Sequence, residues 1–187
     1  MAYFCAGYVY VVSSTFIVDI VEGTEGLHGQ GRFAFLLIGL AATPETLIWD
    51  RIARRSGYLK ALLAAYTLQA VGIILPVISD SLPVVILSAL LFGGTFIVCV
   101  SLVLTMAGKF YPSNPTQFMG KMTLAYGAAQ IIAPVPTGYL AEAFGNYDIG
   151  LDLSAAIMMI GTLFLLGLLN LEKGALQMND AKPISAK

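Results

Sequence analysis

The stretch from Leu82 to Met106, LPVVILSALLFGGTFIVCVSLVLTM, contains no charged residue, and its reading decides the fold. At about 1.5 Å of rise per residue, an α-helix of this length crosses the roughly 30 Å hydrocarbon core of a bilayer. Apolar and polar residues do not alternate along it, and lipid leaves no place for open sheet edges, so a strand is excluded. Working outward, five further apolar runs flank it. The six expected helices are 3–21, 33–49, 59–78, 82–106, 118–143 and 151–171. Between them lie the Gly-rich stretch Glu22–Gly31, the charged stretch Asp50–Tyr58, the short Ser79–Ser81 break, a loop around Pro112, Asn114 and Pro115, and a turn over Gly145–Gly150. The expected fold is an all-α membrane protein. Residues 1–171 form one domain of six transmembrane helices in two three-helix groups, and 172–187 form a short polar cytoplasmic tail. No sequence repeat links Tyr3–Ile78 to Leu82–Leu171.

Composition agrees. Hydrophobic residues make up 58% and charged residues 11% of the 187, where a soluble domain carries about 25% charged residues. Mean hydropathy is +0.82. The net charge of -1 and the lack of a basic-aromatic patch argue against nucleic acid as a partner. Cys5 and Cys99 fall inside apolar runs and read as small buried hydrophobes, so neither a disulfide framework nor a metal site is expected. The first run has no basic segment before it and no small-residue cleavage site after it, unlike a secretory signal. No nucleophile–base set, phosphate loop or dinucleotide fingerprint occurs. The sequence therefore reads as neither an enzyme nor a cofactor-binding protein.

Orientation follows from the basic residues. Arg51, Arg54, Arg55, Lys60, Lys109, Lys121, Lys173, Lys182 and Lys187 fall on one side of the six spans, and Arg32 alone on the other. By the positive-inside rule both termini face the cytoplasm of a multi-pass protein of the cell (inner) membrane.

Polar groups inside spans are costly and so point to cavities. In the first helix Tyr3, Gly7, Tyr10 and Ser14 recur at steps of four, three and four, one helical face rich in hydroxyls. The same residues also suit close helix packing. In the fifth, Thr123, Gly127, Gln130, Pro134 and Thr137 share a face, with Gln130 near mid-span and Pro134 and Pro136 removing backbone donors. The expected substrate or cavity residues are Tyr3, Tyr10, Ser14, Thr95, Thr123, Tyr126 and Gln130. Gly93, Gly94, Gly127, Pro134 and Gly138 are expected to set kinks and close packing. Glu45, about a turn from Asp50 and Arg51, is expected to join Asp50, Arg51, Arg54 and Arg55 in a cytoplasmic gate. No carboxylate at the centre of a span stands out as a proton carrier. Asp19, Glu22, Glu25, Asp80, Asp148 and Asp152 lie at outer ends, and His28 is a surface residue of the outer loop.

The segment Ala2–Phe16 resembles the opening of the second six-helix half of major facilitator transporters, closest to the bacterial YbfB/YjiJ-type branch. The likeness continues through Leu47–Gly57, Leu90–Phe96, Tyr126–Pro134 and Gly138–Glu142, nearly the whole chain. The basic loop is similar to the cytoplasmic motif Gly-x-Leu-Ala-Asp-Arg-x-Gly-Arg-Arg of that superfamily. Ile52, Ala53, Arg55 and Gly57 fit it, whereas Asp50 stands in the first Gly position, Arg54 replaces the Asp, and Tyr58 and Leu59 replace the final basic pair. Gly127-x-x-Gln130-x-x-Ala133-Pro134-x-x-x-Gly138 resembles the Gly-Pro motif of antiporters. The resemblance implies alternating-access transport of a small solute, driven by a proton or substrate gradient, and a missing amino-terminal six-helix half. Besides lipid, the expected partners are that half or a second copy of the chain. The alternatives are a self-associating six-helix membrane protein and a degenerate, non-transporting remnant.

Overall fold

The computed structural model describes residues 1–23, 28–79 and 81–180, with Ile17, Ile20, Gly23 and residues 173–180 described in backbone only. Glu25, Asp80, Lys182 and Lys187 of the sequence reading lie outside these residues. Among the described residues eight helices follow one another: α1 (Ala2–Gly23), α2 (Gly31–Ser56), α3 (Tyr58–Ile78), α4 (Leu82–Gly93), α5 (Phe96–Phe110), α6 (Pro115–Ile132), α7 (Pro134–Phe144) and α8 (Asp148–Asp180). No strand occurs among the described residues. Because α4 runs on into α5 and α6 into α7, the eight make six rods.

Four rods are long and apolar enough to cross a membrane: Gly31–Ser56, Tyr58–Ile78, Leu82–Phe110 and Asp148–Glu172. Their outward surfaces are greasy; Leu47 is 77% and Leu163 62% exposed. Exposed apolar carpets of this kind do not survive in water and mark a lipid-facing surface. The chain is a multi-pass membrane protein.

Several helix limits differ from the expected ones, each for a local reason. α2 runs through Pro44 and on to Ser56. Its polar last turns stay helical, with Arg54 Nε bonded to Asp50 Oδ2 at 2.7 Å one turn away adding slight support. The stop comes at Gly57, whose φ of 97° is open to glycine and lets α3 begin at once. α8 continues to Asp180, past the expected end at Leu171, since nothing between them breaks a helix except the single Gly174. The 82–106 run is not one helix: it interrupts at Gly94–Thr95.

α1 packs on α2, α6 and α8; α3 on α4, α5 and α8; α2 on α3, α4 and α5; α7 on α8. Small residues set the closest crossings. A Cβ on Gly7 would stand 2.6 Å from the Tyr126 carbonyl oxygen, and one on Gly93 would stand 2.5 Å from that of Ile38. α1 thus lies directly on α6, and α2 on α4, as small residues allow in membranes. Ser88 Oγ donates to the Gly72 carbonyl at 2.6 Å and ties α4 to α3. The main core gathers around Tyr66, Leu62, Val98 and Met158, all at most 2% exposed.

Met1, the basic junctions and Glu172 of α8 share one end of the bundle. Met1, Leu59, Phe110, Phe118 and Glu172 line a single cavity of about 810 Å³ there, and Lys109 Nζ sits 3.7 Å from the centre of the Tyr58 ring.

Candidate functional site

Two neighbouring features carry the polar chemistry of the bundle. The first is an aromatic row. The Phe92 and Phe96 rings stack 5.5 Å apart, Phe96 stacks on Tyr10 at 5.3 Å, Tyr10 lies 6.3 Å from Tyr126, and Tyr126 lies 4.7 Å from Tyr3. It links α4 and α5 to α1 and then α6. Such rings bind by face and edge while their hydroxyls supply hydrogen bonds. Tyr10, Phe96 and Tyr126 are half-buried, so the row is accessible along part of its length.

The second is the α4–α5 break. An interrupted helix leaves amide donors at the new N-terminus and carbonyls at the old C-terminus without partners. Two side chains one turn apart on α2 meet them. Glu45 Oε1 accepts a hydrogen bond from the Val98 amide at 2.5 Å, with the Ile97 amide also facing the carboxylate. Trp49 Nε1 donates to the Gly94 carbonyl oxygen at 2.7 Å. Thr95 Oγ1 donates to the Leu91 carbonyl at 2.7 Å. Cys99 Sγ donates to Gln69 Oε1 at 3.2 Å, bringing α3 into the network. A buried polar group left unpaired costs about 1–3 kcal/mol, so the α2 pair is what makes the break tolerable in an apolar setting. Glu45 is 1% exposed and its Oε2 has no hydrogen-bond partner.

Of the expected cavity residues, Tyr3, Tyr10 and Tyr126 meet in the aromatic row, and Gln130 lies one turn beyond Tyr126, half-buried. Ser14 is half-buried, its hydroxyl turned back to the Val11 carbonyl at 3.4 Å. Thr123 is exposed. Thr95 is 2% exposed, with its hydroxyl engaged by the last turn of α4. Pro134 follows the α6–α7 junction at Ala133, where the Thr137 hydroxyl donates to the Ala133 carbonyl at 2.9 Å. Gly93 packs against α2, whereas Gly127 and Gly138 have open space where a Cβ would stand. Close packing within this bundle is therefore not their role.

The expected gate residues do not all meet in this structure. Glu45 does not pair with Arg51 or Arg54. Glu45, Trp49 and Ala53 form the buried stripe of α2, while Arg51, Arg54 and Arg55 lie on its exposed side. Helical periodicity separates them even though they are close in sequence. Among the described residues Asp50 pairs only with Arg54, within α2, with side chains 46% and 71% exposed, and bridges to no second helix. Phe96 and Trp49 escaped the sequence reading because an aromatic in an apolar run looks like lipid contact. The spacing of Glu45 and Trp49, one turn apart, is the signal that links them.

The chain matches, over residues 1–166, the family described as the uncharacterised MFS-type transporter YbfB. It is also similar to the probable sulfoacetate transporter SauU of Cupriavidus necator, with 30% identity over 176 residues. That alignment covers 86% of this chain and 40% of the relative, so the chain spans less than half the relative's length.

Proposed function

Because the chain belongs to the major facilitator superfamily, in its YbfB-type family, we propose that it moves a small solute across the cell membrane by alternating access, as the carboxy-terminal half of such a transporter. The observation that carries the reading is the alignment with only 40% of a longer transporter, joined to an aromatic row beside an interrupted helix. Discontinuous helices near the mid-membrane are how secondary transporters build binding sites, with rocking of one half against the other. Tyr3, Tyr10, Tyr126 and Gln130 are the solute-facing residues in this reading. Gly127 and Gly138 face the amino-terminal half, where small residues let another helix approach. In this reading Met1, Glu172 and the basic junctions lie on the cytoplasmic side, in keeping with the positive-inside rule.

The relative's cargo carries a sulfonate and a carboxylate. The aromatic row contains no cation among the described residues. For an anionic cargo, the neutralising Arg or Lys comes from outside the row.

The test is reconstitution in liposomes with labelled sulfoacetate and other small organic acids. The chain alone gives no uptake, and co-expression with the first six helices of a full-length family member restores it. Uptake by the chain alone overturns the half-transporter reading.

A further inference from the structure

We propose that Glu45 is a proton-binding site whose ionisation state sets the stiffness of the α4–α5 break. The inference goes beyond solute transport. It concerns proton binding by this chain itself and stands or falls independently of any uptake assay.

Two influences act on the carboxyl group in opposite directions. The first is the N-terminus of α5, where Val98 donates to Oε1 and the Ile97 amide faces the same group. Unpaired amides and the helix dipole both favour a negative charge there. The second is burial. Glu45 is 1% exposed on the inner stripe of α2, and its Oε2 is enclosed without any partner. An isolated buried charge is penalised far more heavily than a buried hydroxyl. A proton on Oε2 removes the charge while leaving Oε1 free to accept from Val98. Because Oε2 is already enclosed by this chain, a residue from another subunit cannot reach it without opening the break.

Among the described residues no ion pair reaches Glu45. The one ion pair among the described residues is Arg54 with Asp50, both exposed at the end of α2. α4 contains no titratable residue. On α5 the buried Cys99 is the titratable neighbour that feels Glu45, and its Sγ is bonded to Gln69 of α3. On α1 and α3, Tyr3 and Tyr66 reach toward Cys99, Cys5 neighbours Tyr66, and the Tyr66 hydroxyl bonds the Ala2 carbonyl.

The ionised carboxylate binds the α5 amides more strongly than the neutral acid does, because charge-assisted hydrogen bonds are the stronger ones. Protonation therefore loosens one of the two α2 clamps. The Trp49–Gly94 clamp lies one turn away and feels the change. A proton taken from water on one side of the membrane would thus be stored at the joint between α4 and α5.

Trp49 is the single tryptophan of the chain, so its fluorescence reports this joint alone. The full chain in nanodiscs is titrated with acid while Trp emission is recorded. One reversible transition is expected. It is lost in Glu45→Gln, kept at a displaced midpoint in Glu45→Asp, and kept unmoved in Asp50→Asn and Cys99→Ser. A flat wild-type titration, or a transition surviving in Glu45→Gln, overturns the proposal. So does a transition that vanishes with Cys99→Ser, or a midpoint that moves when sodium replaces choline, which would assign the site to a metal cation. Should Glu45→Gln fail to fold, infrared difference spectra of the wild-type chain with isotope-labelled glutamate decide. A carboxylic-acid carbonyl band in an apolar environment must appear with the midpoint of the fluorescence change, and its absence overturns the proposal.

Discussion

Trp49 and Glu45 show how much rests on single side chains where a helix is interrupted in an apolar medium. Replacing Trp49 with Phe keeps the ring but leaves the Gly94 carbonyl without its 2.7 Å partner. The expected loss is about 1–3 kcal/mol, read as a lower melting temperature by circular dichroism in detergent; unchanged melting would show that the clamp is dispensable. A second residue-scale prediction concerns Glu22, at the outer end of α1. Its carboxylate accepts hydrogen bonds from the amides of Gly29 at 2.6 Å and Gly31 at 3.1 Å, which hold its pKa below the usual carboxylate value. A depressed folded pKa means that the cap is fully present above the unfolded pKa of about 4.3 and is lost as pH falls through the folded value. Protection of the Gly29 and Gly31 amides, measured against their intrinsic exchange rate at each pH, should therefore fall only in acid. Glu22→Gln should weaken their protection at neutral pH and abolish its pH dependence.

At the scale of helices, the glycines divide into two classes that sequence motifs do not separate. Gly93 faces the Ile38 backbone, which yields only if α2 moves as a whole. Gly93→Ala should destabilise the bundle by about 1–3 kcal/mol through overpacking. Gly127 and Gly138 meet nothing, and Ala is the better helix former by up to about 1 kcal/mol. Gly127→Ala and Gly138→Ala should therefore melt at or above the wild-type temperature. Bulkier Gly138→Leu should also leave the melting unchanged while abolishing uptake restored by the partner half. A drop in melting for the Ala variants would place these glycines back inside this bundle.

Across the bundle, the basic junctions after α2 and α5 share one end with Met1 and Glu172, and the α7–α8 turn lies at the other. Cys5 and Cys99 are buried, so an introduced thiol can be labelled against a low background. Cysteines at Arg55 and Lys109 should react with an impermeant maleimide only when the cytoplasmic face is opened, and one at Asn146 should react from outside intact cells. The reverse pattern would invert the orientation.

The membrane class, the family and the approximate rods were legible in the sequence because bilayer thickness imposes a length and an apolar composition that local residues alone satisfy. The basic end was legible for the same reason, since Lys and Arg sort by side. The α4–α5 break was only hinted at by Gly93-Gly94-Thr95, as glycines in a span serve packing equally well. Its clamps could not be read at all: Glu45 and Val98 lie far apart in sequence, and only the crossing of α2 over α5 brings them together. The same crossing decided that Glu45 turns inward, away from the arginines beside it in sequence. Burial and partner choice are properties of the packed faces, and a linear pattern records which face a residue is on but not which helix that face will meet.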